Sequence, residues 1–204
     1  MLKITNPIFA SFFALFVFCS SVSAVDMTVF GFNLTEKFNV PECERTSYGY
    51  GYSKTICFER HSKYVKGVET YSTDSILNET VTIKFPYSDS PQIVSGNSIA
   101  AIIIDGKLEG VSFATNGISD DDDVLAKLKE KYGKPPVYIP RKVQNRMGAS
   151  FDSFIAGWTF ENLDVSLYGV MLKLDEGLVI IDTKKAGALR KKQLEELNKD
   201  NRPI

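Results

Sequence analysis

The chain has 204 residues, 24 Lys and Arg against 25 Asp and Glu, and a formal net charge of −1. So even a balance excludes the dominant basic surface that a nucleic-acid binder needs. One histidine and three cysteines leave little for a His-rich metal centre or a histidine-centred triad.

The first 24 residues stand apart. Lys3 is the one charge before Asp26, an apolar run follows from Ile8 to Phe18, and Val22-Ser23-Ala24 puts short side chains where a signal peptidase cuts. This order predicts a signal peptide over 1–24 and a mature chain, 25–204, that folds as a single domain. The apolar run is about a dozen residues, short of the roughly 20 a spanning helix needs, so no retained membrane span is expected. Bulky Phe18 before Cys19 speaks against lipid attachment. The compartment expected is periplasmic or secreted, where Cys43 and Cys57 pair. Closing that loop of about 15 residues is worth about 3 kcal/mol by chain entropy. One bridge does not hold a chain of this length, so a hydrophobic core must.

Met27 to Phe32 is a strand-like run that meets a turn near Gly31. Glu36 to Cys43 has no clear period, and Pro41 forbids a long helix there. Thr55 to Phe58 reads as a strand. Val81, Ile83 and Phe85 alternate with Thr82 and Lys84, the period of a half-buried strand. Ser88 to Asn97, with Pro91 and Gly96, is a loop. Ile99–Ile104 and Leu108–Thr115 flank Asp105-Gly106, which predicts a type I′ hairpin. Ser119 or Asp120 then caps a helix with Asp121 to Asp123 in its first turn. Val124, Leu125, Leu128 and Tyr132 form its apolar stripe, and Gly133 then Pro135-Pro136 stop it. Pro135 to Ser150 reads as a loop, basic through Arg141, Lys142 and Arg146. Phe151–Phe160, Val165–Leu174 and Leu178–Asp182 make a three-stranded meander, with Phe154, Ala156, Trp158 and Phe160 on one side of the first strand. Lys184 to Asn198 is a basic helix with Leu189, Leu194 and Leu197 as apolar contacts. The fold class is α+β: an antiparallel sheet of hairpin and meander, two or three helices on one face, one disulfide. Hairpin-then-helix recurs as meander-then-helix, a weak internal symmetry.

Chemistry-bearing motifs are scarce. His61 lies among Arg60, Ser62 and Lys63 and reads as a solvated surface residue. Calcium asks for six to eight oxygens, with acids at alternate positions and a central glycine; four consecutive aspartates serve a helix dipole better. No metal and no cofactor is expected. GxSxG, P-loop and GxGxxG patterns do not occur, so no catalytic residue is predicted and the chain reads as a non-enzyme. Glu59, Glu69, Glu109, Asp152 and Glu161 keep one alternative open, a small secreted cell-wall glycan hydrolase built on a carboxylate pair. The basic groups at 141–146 and 184–192 read as ordinary solvated surface, with an acidic partner or anionic headgroups as the other reading. Asn33 and Asn78 each head an N-x-Thr sequon, an acceptor only on a eukaryotic export route.

The unusual segment is Ser47 to Ser53, SYGYGYS. Tyr48, Tyr50 and Tyr52 fall at period two, which in an extended chain puts three rings on one face. The segment lies inside the disulfide loop, restrained before any contact is made. It is the candidate binding strip for a protein or glycan of the cell envelope. The other reading is an edge strand whose rings pack on the sheet while the glycines mark a bulge.

The run IIIDGKLEGVSFAT, followed by VLAKLKEKYGKP and by Trp158 within a strand, resembles small periplasmic α/β modules of bacteria. These include outer-membrane assembly accessory lipoproteins and secreted enzyme-inhibitor proteins. The resemblance covers Ile99 to about Asp182. It implies an envelope compartment and this architecture, and carries no functional residue across; the lipid-bearing cysteine of the accessory lipoproteins is missing. The expectation is an exported binding protein of inhibitor, immunity or envelope accessory type.

Overall fold

The computed structural model describes residues 25–46, 49–50, 54–61, 63–65, 68–70 and 77–200. The expected signal peptide lies outside them. The fold is α+β. One antiparallel sheet holds β1 (Cys57–Arg60), β2 (Glu79–Lys84), β3 (Ser98–Ile104), β4 (Lys107–Thr115), β5 (Val137–Gln144), β6 (Ser150–Thr159), β7 (Leu163–Tyr168) and β8 (Gly177–Thr183). Their order across the sheet is β5-β6-β7-β8-β4-β3-β2-β1. Two four-stranded meanders therefore meet along β4 and β8, where Val111 stands opposite Ile181 and Phe113 opposite Val179. Each meander runs into a helix, α1 (Asp121–Tyr132) or α2 (Lys184–Asp200). The weak symmetry in the sequence is four strands of the sheet followed by a helix, used twice, with a separate hairpin of Lys63–Val65 and Val68–Thr70 inserted between β1 and β2.

Local chemistry sets these elements. Asp105 and Gly106 have φ of 53° and 71°, the two positive values a type I′ turn demands. Just past the turn a bulge between Leu108 and Gly110 gives Glu109 no partner on β3. Gly133 ends α1 at φ 78°, its N–H bonded to the Lys129 carbonyl at 2.8 Å.

Val81, Ile83, Ala101, Val111, Leu167 and Val179 are fully buried on the inner face of the sheet. Two elements cover it. α1 lays Val124, Leu125, Leu128 and Tyr132 into the same core as Phe154, Ala156 and Trp158. The N-terminal segment, 25–40, covers the β1–β4 half. It turns at Phe30-Gly31 between the short strands Thr28–Val29 and Phe32–Asn33, two brief pieces where one run was expected. Phe30 meets Phe113 and Phe85 edge-on, with centroids 5.1 and 6.1 Å away, and Phe38 meets Phe58 at 5.4 Å.

α2 starts over the outer face instead. A Cβ on Gly110 would overlap the Asp182 carboxylate and come within 2.9 Å of the Ala186 Cβ, so glycine is what lets the helix approach. The two helices therefore lie on opposite faces rather than together. The N-terminal segment already fills the inner face over β1–β4, which leaves α2 the other side.

Two boundaries differ from expectation. Residues 137–144, where the sequence predicts part of a loop, form edge strand β5, paired from Val137 opposite Gly157 to Gln144 opposite Ser150. An edge tolerates Pro140, because its missing donor is needed only where a second neighbour follows. The strand expected over Val165–Leu174 ends at Tyr168; the chain then folds back, with Ile118 N–H on the Leu174 carbonyl at 2.9 Å. The Cys43–Cys57 bridge is formed. Beside it the β1 edge is closed: Cys43 N–H reaches the Phe58 carbonyl at 2.8 Å, and Phe58 N–H the Pro41 carbonyl at 2.9 Å. Among the described residues, no strand pairs with the outer edge of β5.

Candidate functional site

Side chains alternate between the two faces of a strand, so strand register shows what the outer face presents. Ile139 stands opposite Ile155, Ile155 opposite Tyr168, Tyr168 opposite Leu178, and Leu178 opposite Ala114. Beside that row runs a second: Val137, Gly157, Ser166, Ile180, Ser112, Ala100 and Thr82. A third row, Asp164, Asp182, Gly110 and Ile102, runs past the start of α2. As far as β3 the first two rows carry no charge; on β2 and β1 the same face bears Lys84 and Glu59, 3.8 Å apart. Val137 is 49% exposed and Ile139 52%; Ala114 is exposed, and Ile155, Tyr168, Leu178 and Ile180 are half-buried.

An antiparallel sheet with one face in water normally shows polar residues there. This outer face is apolar or small and uncharged over several strands. Such a surface is the usual mark of a contact site.

The row also points to the disulfide. Lys84 stands opposite Ser98 and Cys57 opposite Lys84, so by alternation Cys57 falls on this face at its far rim. The bridge there holds the root of the loop that carries the tyrosines. Tyr48 and Tyr52 lie outside the described residues. Tyr50 is described by its backbone alone, which pairs with Arg45 in the short strands Arg45–Thr46 and Gly49–Tyr50.

Charge fixes the loop root as well. Arg45 Nε donates to Glu42 Oε1 at 2.9 Å, and the other Glu42 oxygen is 3.4 Å from Arg60 Nε. Arg60 is buried, 2.9 Å from Glu79, with its guanidinium 5.9 Å from the Phe58 ring centre. A cleft of about 410 Å³ opens at the loop root between Pro41–Glu44 and Lys54–Cys57. The structure thus brings Cys43 and Cys57 to one rim, at the root of the loop in which the Tyr50 backbone pairs with Arg45.

Of the carboxylates considered for glycan chemistry, Glu109 is buried and accepts from the Thr183 hydroxyl at 2.7 Å, with Lys185 3.6 Å away. Asp152 pairs with Lys142 at 2.6 Å and Glu59 with Lys84 at 3.8 Å. Each is engaged by its own neighbour. His61 is exposed, 3.1 Å from the Thr82 hydroxyl. Among the described residues, no three His, Cys, Asp or Glu side chains are grouped to hold a metal ion.

The aspartate run has one unusual member. Asp122 and Asp123 are exposed, while Asp121 is buried against the Gly169–Gly177 loop. A Cβ on Gly169 would sit 2.9 Å from both Asp121 Oδ2 and the Ser153 hydroxyl, so that position needs glycine. Burial, and then the charge of Asp122, raise the Asp121 pKa against the pull of the Asp122 N–H. A carboxyl whose pKa rises on folding favours the fold in acid, and that contribution is lost as pH climbs through the folded-state value. Asp121→Asn should therefore raise Tm by roughly 2–4 °C at neutral pH and by nothing near pH 3. Thermal melts at both pH values check this; a loss of stability at neutral pH would contradict it.

Sequence reasoning missed the outer face. The signal was present: Ile155, Tyr168 and Ile180 are apolar at the positions between the buried ones, the pattern of a strand covered on both sides. Among the described residues, no helix is long and apolar enough to cross a membrane. Compared with protein-family models, curated proteins and solved structures, the chain matches none.

Proposed function

We propose that this chain is an exported, non-enzymatic binding protein of inhibitor, immunity or envelope accessory type, and that the outer face of its sheet meets a protein or glycan partner. The observation that carries this is the pair of uncharged rows from Ile139 to Ala114 and from Val137 to Thr82, in which every residue is exposed or half-buried. Removing such a surface from water contributes about 25 cal/mol per Å² of apolar area, without the desolvation cost of charges. A sheet holds its side chains in place before contact, which reduces the ordering cost of binding. The Cys43–Cys57 bridge stands at the rim of that face, and Tyr48, Tyr50 and Tyr52 of the loop it closes are read as further contacts for the same partner. The bridge itself fits an oxidising compartment, periplasmic or secreted.

Substitution tests this. Ala114→Arg with Ile139→Glu alters two exposed positions, so melting should hold while capture of the envelope partner is lost. Changing Tyr48, Tyr50 and Tyr52 together to alanine should weaken the same capture. Full capture by both variants would overturn the proposal.

A further inference from the structure

We propose that α2 is an autoinhibitory strap, which lifts from the sheet while the rest of the domain stays folded and so enlarges the outer contact face. The two helices are held in different ways. α1 sinks Val124, Leu125, Leu128 and Tyr132 into the main core. α2 adds no side chain to that core; Ala186 is its one buried residue among those described, and Leu189 is half-buried. Charge fastens it instead. Lys184 Nζ lies 2.7 Å from Asp164 and Lys185 Nζ 3.6 Å from Glu109, while Arg190 bonds both Asp182 oxygens at 2.8 and 3.1 Å. The bases keep contact with water, the Lys185 side chain 63% exposed and that of Arg190 28%. Ion pairs open to water on one side contribute little and are weakened further by salt. An element with few buried apolar contacts opens at lower free energy than the whole domain.

The ground beneath the strap belongs to the outer face. Ile102 points outward by alternation, between the inward Ala101 and Ile103, yet it is buried and stands outside the core cluster. Gly110 and Asp182, its neighbours in the third row, are buried too, as is Glu109 in the bulge. α2 packs against β3, β4, β7 and β8 on this side. Lifting it bares Ile102 and Gly110 directly beside Ala100 and Ser112 of the second uncharged row. It also releases Asp164, Glu109 and Asp182 from the bases of their own chain. A partner segment that carries bases then gains most, because it replaces Lys184, Lys185 and Arg190 on the same three acids. The gating of contact rests on the reading of the outer face as a binding surface; the lifting itself does not.

Thiol labelling of the full chain, mapped by peptide mass, reads the lifting at single positions. Ile102→Cys lies under α2, and Ile103→Cys on the inner face is the control. The thiol at 102 should react at least about 100-fold faster than the one at 103, since the strap opens before the domain unfolds. Raising salt from about 0.05 M to about 1 M should speed position 102 by roughly fivefold and not position 103. Mild urea should do the reverse, because lifting exposes little surface. Adding Lys185→Gln with Arg190→Gln should speed position 102 by roughly tenfold more. In intact cells, envelope adducts from a benzophenone at Ala100, beside the covered row, should rise several-fold in that double variant. Equal labelling at 102 and 103, or a rate at 102 blind to salt and to charge removal, would overturn the strap. Fast labelling with unchanged adducts would overturn its autoinhibitory role, and adducts from no variant would sink the outer-face reading as well.

Discussion

Replacing Trp158 by alanine should destabilise the protein by about 3–5 kcal/mol, a large part of the 5–15 kcal/mol that holds a domain together. Trp158 is 2% exposed and stands where α1 ends on the sheet. Its ring lies 6.3 Å from that of Tyr132, and its indole N–H donates to the Gly133 carbonyl at 2.7 Å. The substitution removes apolar contact, leaves a cavity and frees a carbonyl at the helix end. These losses add. Thermal unfolding followed by circular dichroism should show Tm lower by roughly 10 °C. Trp158→Phe keeps most of the packing and loses the hydrogen bond, so it should cost about 1–2 kcal/mol. A Trp158→Ala chain that melts with the wild type would mean α1 does not rest on this residue.

Loss of the disulfide should have the next largest effect, about 3 kcal/mol by the entropy of a loop this short. Cys43→Ala with Cys57→Ala should lower the urea midpoint by the amount that corresponds to it. The fold should survive, because the β1 edge keeps its backbone bonds from Pro41 and Cys43 and the ion pairs of Arg60 with Glu42 and Glu79. Protease sites between residues 44 and 56 should open first, since the loop then loses its clamp. Unchanged urea stability on reduction would show that the bridge adds nothing to the fold.

Elements whose signal is local were legible in the sequence. The Asp105-Gly106 hairpin announced itself through two apolar runs and a turn that needs positive φ. The limits of α1 followed from aspartates at one end and Gly133 at the other, and the Cys43–Cys57 bridge from the expected oxidising compartment and the closeness of the two cysteines. Strand β5 was hidden because Pro140 and the bases at 141, 142 and 146 look like loop residues, and only an edge position tolerates that proline. The junction of β4 with β8 joins residues about 70 apart, which no local pattern encodes. The side taken by α2 depends on Phe30 and Phe38 having already filled the inner face. The candidate surface was overlooked for a related reason: period-two reading of Phe151–Phe160 marked the buried set and passed over Ile155 between its members.

Site-specific photo-crosslinking in intact cells tests the binding surface most directly. A benzophenone side chain at Ala114, in the first apolar row, should form one discrete adduct in the cell envelope. The same group at Glu130, exposed on α1 beyond the opposite face, should form none. An adduct from Glu130 with Ala114 silent would place the contact on the other side of the molecule, and silence at both would leave the outer face without a partner.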